Sequence, residues 1–556
     1  MLYIIILTIV GYILFFLGNG SFPLIGDSEG NYAELAREMM EMKDFIVPHL
    51  NYVPYLEKPP FFYWLTALTY KVMGCNEAAA RLWAAIPALG LVIITYGAGA
   101  RLKNRLYGFM SALILGTSFG FIMMSKICYM DMLFSCLIGL SLLLFYVGIE
   151  KHARKYFYMF YIVLALAVLT KGFAGIILPV LVIIAYICVT RRWRILKNIY
   201  LLEGVIIFIV VAAPWHVAAA IKNKEFLWYY FINEHVYRYL GIRYPIDYFH
   251  GPIYYHVLRL FAMLFPWSIF IPAGIYYYIK KIGKKENWLF FAVWFLTILI
   301  FFSLSKAKAN YYMLSALVPV ALCIGLVWEA GIVDMARKIE RRIVAITFSI
   351  YILAGFACLT LLLIYPQIVC DNLSIEVYPA SVLMLFFMML GALLSVFLFF
   401  RDKRTTAFIV FLIGVGCAGV VLSQNTFLVN DEKSANEHAY IINTHYNDGD
   451  LIVIRGKYER NSTASFYLKK RAYVVCEPWR VDGDLDFGSR YPEHRKYFVN
   501  WNEFEQLFNG HKRVFFITKE PGDFDILKNM FPDRTRLMYD SYGRYLITNQ
   551  KDIYDR

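Results

Sequence analysis

The chain has 556 residues, 60% of them hydrophobic and 18% aromatic, against roughly 45–50% apolar residues in soluble domains. That content excludes an ordinary soluble fold and makes a membrane protein the default reading. The formal charge of +14 does not indicate a nucleic-acid binder, because the Lys and Arg residues sit in short clusters between apolar runs, near 101–105, 151–155, 191–197, 280–285, 337–342 and 401–404.

The first apolar run, 2–17, lacks a charged leader and ends in Gly18-Asn19-Gly20 and Ser21-Phe22-Pro23, so it is expected to be a retained span and not a cleaved signal. Further spans are predicted at 82–100, 107–124, 132–149, 157–170, 174–190, 200–216, 260–279, 288–304, 312–330, 343–364, 378–400 and 405–423. The expectation is therefore an α-helical polytopic membrane protein of about thirteen spans. Placing the six basic clusters in the cytoplasm puts the amino terminus inside and the carboxyl terminus outside. The loops 26–81, 216–259, 303–311 and 365–378 then face outward, together with the whole tail. Two domains follow: a membrane part over 1–423 and an extracytoplasmic α/β part over 424–556. In the tail, strand-like runs fall at 451–454, 473–475, 514–517 and 544–548, with a helix-like stretch at 434–447. The nine cysteines show no metal-ligand spacing, and Cys75, Cys370 and Cys476 are the ones expected outside the membrane.

Candidate chemistry begins in the first outer loop. Gly26-Asp27-Ser28-Glu29-Gly30-Asn31-Tyr32 leads into an amphipathic helix carrying Glu34, Arg37 and Glu38, suited to the membrane interface. Asp27 and Glu29 stand at its amino end, where helix capping and catalysis both account for a carboxylate. Pro54-Tyr55-Leu56-Glu57-Lys58-Pro59-Pro60 precedes the aromatic run Phe61-Phe62-Tyr63-Trp64, predicting a second interfacial helix with Lys58 at phosphate depth. Lys58 is read either as a ligand of a lipid phosphate or as a snorkelling residue, and Glu57 as its orienter or as a cation ligand.

Asp131 stands at the outer end of a span with almost no charge nearby, and Lys171 occupies the turn Thr170-Lys171-Gly172. In the next long outer loop Glu234 and Arg238 lie four residues apart, which allows a helical salt bridge or a phosphate clamp by Arg238. Ser303-Leu304-Ser305-Lys306-Ala307-Lys308-Ala309-Asn310-Tyr311-Tyr312 places two lysines outside, against the positive-inside bias, as a phosphate ligand would require.

These motifs, in this order, resemble the bacterial aminoarabinose transferases and the related protein O-mannosyltransferases of the glycosyltransferase C superfamily. The likeness rests on Tyr32-Ala33-Glu34-Leu35-Ala36-Arg37-Glu38-Met39, Val47-Pro48-His49-Leu50, Tyr55-Leu56-Glu57-Lys58-Pro59-Pro60, Asp131-Met132, Thr170-Lys171-Gly172, Pro214-Trp215, Glu234-His235-Val236-Tyr237-Arg238, Pro266-Trp267 and Ser303 to Tyr311. It implies a sugar donor carried on a polyprenyl phosphate, with Lys58 and Arg238 at the lipid phosphate and Lys306 and Tyr311 near the same cavity. Glu57, Lys171, Lys308 and Glu234 would support them, and an acidic residue of the first loop would activate the acceptor. Two departures bear on this. Ser28 occupies the place of the family's aspartate, which leaves the base between Asp27 and Glu29 with Asp131 as helper. Asn233 stands where aminoarabinose transferases tend to have histidine, which bears on a divalent metal held with Glu57.

The implied enzyme is an inverting glycosyltransferase of the bacterial inner membrane, with its active site facing outward. Lipid A or another envelope glycolipid or glycan is the expected acceptor, and protein O-glycosylation is the alternative. A transporter of lipid-linked sugars would show repeated halves and broken spans; the sequence has no such repeat, and its ionisable residues gather at the outer face.

Overall fold

The computed structural model describes the chain apart from residues 27, 246–248, 283–285, 334–337, 366–376, 426–433, 477–482 and 551–556. Asp27, Lys284, Lys285, Arg337 and Cys370, and most of the expected loop 365–378, therefore lie outside the described residues. The eight described cysteines are all free.

The chain divides into two compact units that do not follow its linear order. The first comprises Met1–Asn19, Arg81–His216 and Tyr248–Val429, and the second Gly20–Ala80, Val217–Asp247 and Asn430–Arg556. The sequence grouped the first outer loop with the membrane part; packing groups it with the tail.

The first unit is helical. Among the described residues, eight helices of the chain are long and apolar enough to cross a membrane, or up to ten if two bent pairs each count as one span. Both bent pairs fall where single spans were expected. Arg105–Gly116 and Phe119–Ser125 meet at 68°, and Tyr255–Met263 and Trp267–Lys280 at 112°. Pro266 removes a backbone donor at the second break. At the first, the Thr117 and Ser118 hydroxyls donate back to Leu113 and Ile114 carbonyls at 2.7 Å and compete with the helix ladder. The freed groups are satisfied across the two breaks: Phe119 N donates to Phe265 O at 2.7 Å and Trp267 Nε1 to Thr117 Oγ1 at 2.9 Å. Trp267, Trp328 and Phe411 pack beside them, with ring centroids 5.1–5.9 Å apart. Small residues allow close helix approach further on, since a Cβ at Gly391 would stand 2.9 Å from Gly414 Cα.

The second unit is built on a six-stranded sheet in the order Phe498–Val499, Tyr473–Val475, Leu451–Arg455, Val514–Thr518, Arg544–Thr548, Arg536–Ser541. The first four strands run parallel and the last two add antiparallel. The four strands expected from apolar runs are present, and the helix Asn436–His445 falls in the stretch expected to be helical. Phe504 and Phe508, from a helix started by the Asn500/Glu503 capping box, close one face of the sheet over Val453, Phe516 and Ile547.

The helix Ser28–Glu41 corrects the expectation of a surface amphipath, because Glu29 through Met39 are all buried. It packs against Phe61–Met73 and against the tail helix Ser462–Leu468. Glycine at position 30 permits the second contact, since a Cβ there would lie 2.9 Å from Thr463 N and clash with the Ser462 hydroxyl. Part of its charge is paired within the helix: Arg37 donates to both Glu34 oxygens, at 2.7 and 2.8 Å, and pairs with Glu41. The helix Phe61–Met73, by contrast, exposes Leu68, Val72 and Met73.

Candidate active site

Two charged clusters carry the residues singled out by sequence, one in each unit.

In the second unit, the turn Glu57-Lys58-Pro59-Pro60 leads from a small hairpin, His49–Leu50 against Val53–Pro54, into the helix Phe61–Met73. Against it lies the wide helical turn Trp228–Tyr237, which carries Glu234 and runs on to Arg238. Glu234 is fully buried and meets three cations. Lys58 Nζ and Arg238 Nη1 each approach Oε2 at 3.3 Å, and Arg243 Nε donates to Oε1. Arg243 also binds Glu57 Oε1 at 2.8 Å and the Pro245 carbonyl at 2.8 Å. The Tyr229 hydroxyl donates to Glu57 Oε1 at 3.3 Å. Asn233 fixes the loop that delivers Arg243: its Nδ2 donates to Tyr244 O at 2.7 Å and its Oδ1 accepts from Tyr244 N at 3.1 Å.

Among the described residues, three cations thus gather around two carboxylates. Burial would raise the Glu234 carboxyl, but Arg243, Lys58 and Arg238 together hold it well below the usual carboxylate range, so it is ionised. Burial pushes the neighbouring His235 down to about 4, leaving it neutral with Nδ1 on the Tyr230 carbonyl. Arg243 is completely buried and closely bound. Lys58 and Arg238 retain 16% and 22% side-chain exposure and share a single carboxylate oxygen at the long end of hydrogen-bonding distance. An incoming anion would meet Lys58 and Arg238, which keep some exposure, before the fully buried Arg243.

Glu29 lies in the first turn of Ser28–Glu41, buried, and its carboxylate accepts from Ile25 N at 2.7 Å. That contact satisfies a backbone donor just before the helix. Glu57, the candidate metal ligand, already accepts from Arg243 and Tyr229. Among the described residues no three His, Cys, Asp or Glu gather as a metal site would need.

In the first unit, Asp131 at the start of Met130–Lys151 pairs with Lys171 at the end of Arg154–Lys171. The Lys171 ammonium lies 4.9 Å from the Tyr311 ring centroid, 5.0 Å from that of Tyr312 and 5.4 Å from that of Phe134. Tyr129 meets Tyr311 edge-on at 5.8 Å. Asp131, Lys171 and Tyr311, which lie far apart in sequence, thus share one cluster. Lys308 is buried and donates to the carbonyls of Phe302 and Ser303, at 3.2 and 2.8 Å, where it caps the helix Glu286–Leu304. Lys306 is exposed.

Sequence reasoning missed Arg243 and Tyr229. Arg243 carried one usable signal, being a further cation in a loop expected to face outward, against the positive-inside bias. Tyr229 carried none, as one ring among many.

Known proteins resemble this chain in sequence and in fold. A family model described as dolichyl-phosphate-mannose-protein mannosyltransferase matches residues 57–217. An undecaprenyl phosphate-alpha-4-amino-4-deoxy-L-arabinose arabinosyl transferase of Yersinia enterocolitica is 27% identical over 344 residues, 60% of each chain. One of Photorhabdus laumondii is 24% identical over 515 residues, 89% of each chain. The chain thus spans 60% of the first relative's length and 89% of the second's. In fold it is similar to ArnT from Cupriavidus metallidurans bound to undecaprenyl phosphate, with TM-score 0.84 at 21% identity, covering 99% of this chain and 98% of that one. The archaeal oligosaccharyltransferase AglB from Archaeoglobus fulgidus matches with TM-score 0.53 at 12% identity, over 99% of this chain and 74% of that one. The chain is thus similar in sequence to the aminoarabinose transferases and in fold to ArnT.

Proposed function

We propose that the protein is an integral membrane glycosyltransferase that moves a sugar from a polyprenyl phosphate carrier to an acceptor outside the cytoplasm. The observation that carries this reading is the cation cluster of the second unit, where Lys58 and Arg238 share Glu234 Oε2 at 3.3 Å each. A phosphodiester donor brings one negative charge, and a second develops on the phosphate as the bond to the anomeric carbon breaks. Cations that bind the departing phosphate more tightly than the donor stabilise the transition state. Lys58 and Arg238 would turn from Glu234 to the phosphate, and Arg243 would keep the two carboxylates neutralised beneath them.

The acceptor oxygen must lose a proton as it attacks, so inversion at the anomeric carbon needs a base. Asp27 and Glu29 of the first loop are assigned to that role, with Asp131 as helper. The contact of Glu29 with Ile25 N favours a structural part for Glu29 and shifts the base toward Asp27. Lys171 keeps Asp131 paired, Tyr311 encloses Lys171, and Lys306 is offered to the lipid phosphate from the loop after Leu304. Lipid A or another envelope glycolipid or glycan is the proposed acceptor, with protein as the alternative. The proposed topology has thirteen spans in a bacterial inner membrane, a membrane domain over 1–423 and an outward tail over 424–556.

The test is sugar transfer by the purified full chain in proteoliposomes, with undecaprenyl phosphate-linked aminoarabinose as donor and lipid A as acceptor. Lys58→Ala and Asp27→Asn are each expected to lower transfer by about 100-fold or more. Wild-type rates in both variants would overturn the assignment.

A further inference from the structure

The sheet of the second unit reverses its strand order at a place the donor chemistry does not use. From Leu451–Arg455, Tyr473–Val475 and then Phe498–Val499 are added in parallel on one side. The chain then crosses back, and Val514–Thr518 pairs in parallel on the other side of Leu451–Arg455. The connections after these two neighbours separate. Thr518 leads into the helix Asp523–Met530, whose Leu527 packs with Phe504 and Phe508. Arg455 leads into the helix Ser462–Leu468, which packs instead on Ser28–Glu41 and Asn436–His445. In open α/β sheets, ligands bind in the crevice at the carboxyl ends of strands where the order reverses.

Arg455 stands at that point. Its guanidinium lies 4.3 Å from the Trp501 ring centroid, and its Nη1 pairs with Asp523. The Asp523 carboxylate is buried and accepts from Thr518 Oγ1 at 2.5 Å, while Glu520 N donates to the same hydroxyl at 3.0 Å. Both strand ends are thereby tied together. A guanidinium carries five N–H donors. Among the described residues Arg455 uses one of them, to Asp523, and its side chain stays 31% exposed. The ring and the buried carboxylate fix the plane of the fork in advance. Space lies beside it, since Gly456, Lys457, Glu520 and Gly522 are exposed, and a Cβ at Gly456 or Gly522 would meet nothing within 4 Å. Gly522 has φ −77°, which any residue adopts, so neither backbone nor packing calls for glycine there. Approach of a ligand to the backbone does.

We infer that this crevice binds the carboxylate of an acidic sugar, and that the tail thereby docks an anionic acceptor glycan while the Lys58 cluster holds the donor. A planar carboxylate matches the free edge of the guanidinium with two parallel hydrogen bonds. A single negative charge suits the crevice better than the double charge of a phosphate monoester, because Glu520 and Asp525 stand exposed on the adjoining loop and first helical turn. The part played by the glycan rests on the glycosyltransferase reading given above; the binding site itself does not.

The experiment uses the full chain in nanodiscs and measures, by ligand-observed NMR, the affinities of glucuronate, glucose and glucose 6-phosphate, with bare undecaprenyl phosphate titrated into the same preparations. Wild-type protein is expected to bind glucuronate about tenfold or more tighter than glucose, and about threefold or more tighter than glucose 6-phosphate. Arg455→Gln should bring glucuronate within about threefold of glucose. Arg455→Lys, which keeps a cation beside Asp523, should do the same, because an ammonium cannot form the fork. Affinity for undecaprenyl phosphate should stay within about twofold in both variants, reporting an intact fold. Equal wild-type affinity for glucuronate and glucose, with undecaprenyl phosphate still bound, would overturn the crevice and leave the phosphate cluster standing. Tighter binding of glucose 6-phosphate than of glucuronate, or a glucuronate preference that survives both substitutions, would overturn it too. Glucuronate bound through Arg455 without any binding of undecaprenyl phosphate would overturn the donor reading and leave the crevice in place.

Discussion

The two charged clusters differ in how their charges are balanced. In the first unit Asp131 and Lys171 match one to one, with the ammonium enclosed by the rings of Tyr311, Tyr312 and Phe134. In the second, Lys58, Arg238 and Arg243 meet Glu57 and Glu234 among the described residues, and two of the cations approach a single oxygen at 3.3 Å. Lys171 keeps 16% side-chain exposure, the same as Lys58, so the two clusters differ in how their charges are paired and not in burial. Two cations that share one carboxylate oxygen and keep some exposure are groups an anion can reach, and the buried Arg243 holds both carboxylates beside them.

The sharpest way to break this comparison is to remove the buried arginine. Arg243→Ala leaves Glu57 and Glu234 buried without their main partner and should cost about 3–5 kcal/mol, read as a large drop in the thermal midpoint of the purified protein. A midpoint unchanged from wild type would mean that Arg243 does not organise the cluster. Next in size is the coupling within the balanced pair. Asp131→Asn and Lys171→Met, alone and together, should show a coupling of about 0.5–3 kcal/mol in stability. Additive effects would deny that the pair acts as a unit.

The smallest effect concerns Glu38, whose Oε1 is buried without a hydrogen bond while Oε2 accepts from Tyr52 N at 2.8 Å. Burial, with Glu34 adding to it, raises its carboxyl well above the usual range against the pull of Arg37. The folded state therefore binds this proton more tightly than the unfolded one. The contribution is full below the unfolded value of about 4.3 and is lost as pH rises through the folded value. Glu38→Gln keeps an acceptor for Tyr52 N and should flatten that loss, raising stability at neutral pH by about 1 kcal/mol. A variant whose stability falls with pH as steeply as wild type would assign the dependence to another group.

Much of this was legible in the sequence, for reasons specific to each element. The strands at 451–455, 473–475, 514–518 and 544–548 announce themselves through β-branched and aromatic runs. Arg536–Ser541 does not, because an edge strand with Arg, Asp and Ser, and a register shift opposite Leu546 and Ile547, breaks the alternation. The two bent helices looked continuous in hydropathy although Thr117-Ser118 and Pro266 stand at the breaks, and the bond from Phe119 N to Phe265 O that bridges them is encoded by no local pattern. Lys58, Glu57, Glu234 and Arg238 stood out as charges where charge is expensive. Their union through Arg243 did not, because it joins residues 186 positions apart. The hydrogen bond from Asn31 to Asp484 spans 453 positions. A tail read as a separate domain gave no reason to look for its side chains beside the first loop.

The central claim is that Lys58 and Arg238 of the second unit hold a lipid phosphate. It is tested most directly by titrating bare undecaprenyl phosphate into the full chain in nanodiscs, wild type beside Lys58→Ala and Lys306→Ala, at low and high salt. The account predicts that Lys58→Ala weakens binding by about 10- to 100-fold. It also predicts a larger loss than from the exposed Lys306→Ala, and weaker wild-type binding as salt rises. Undiminished affinity in Lys58→Ala would contradict it.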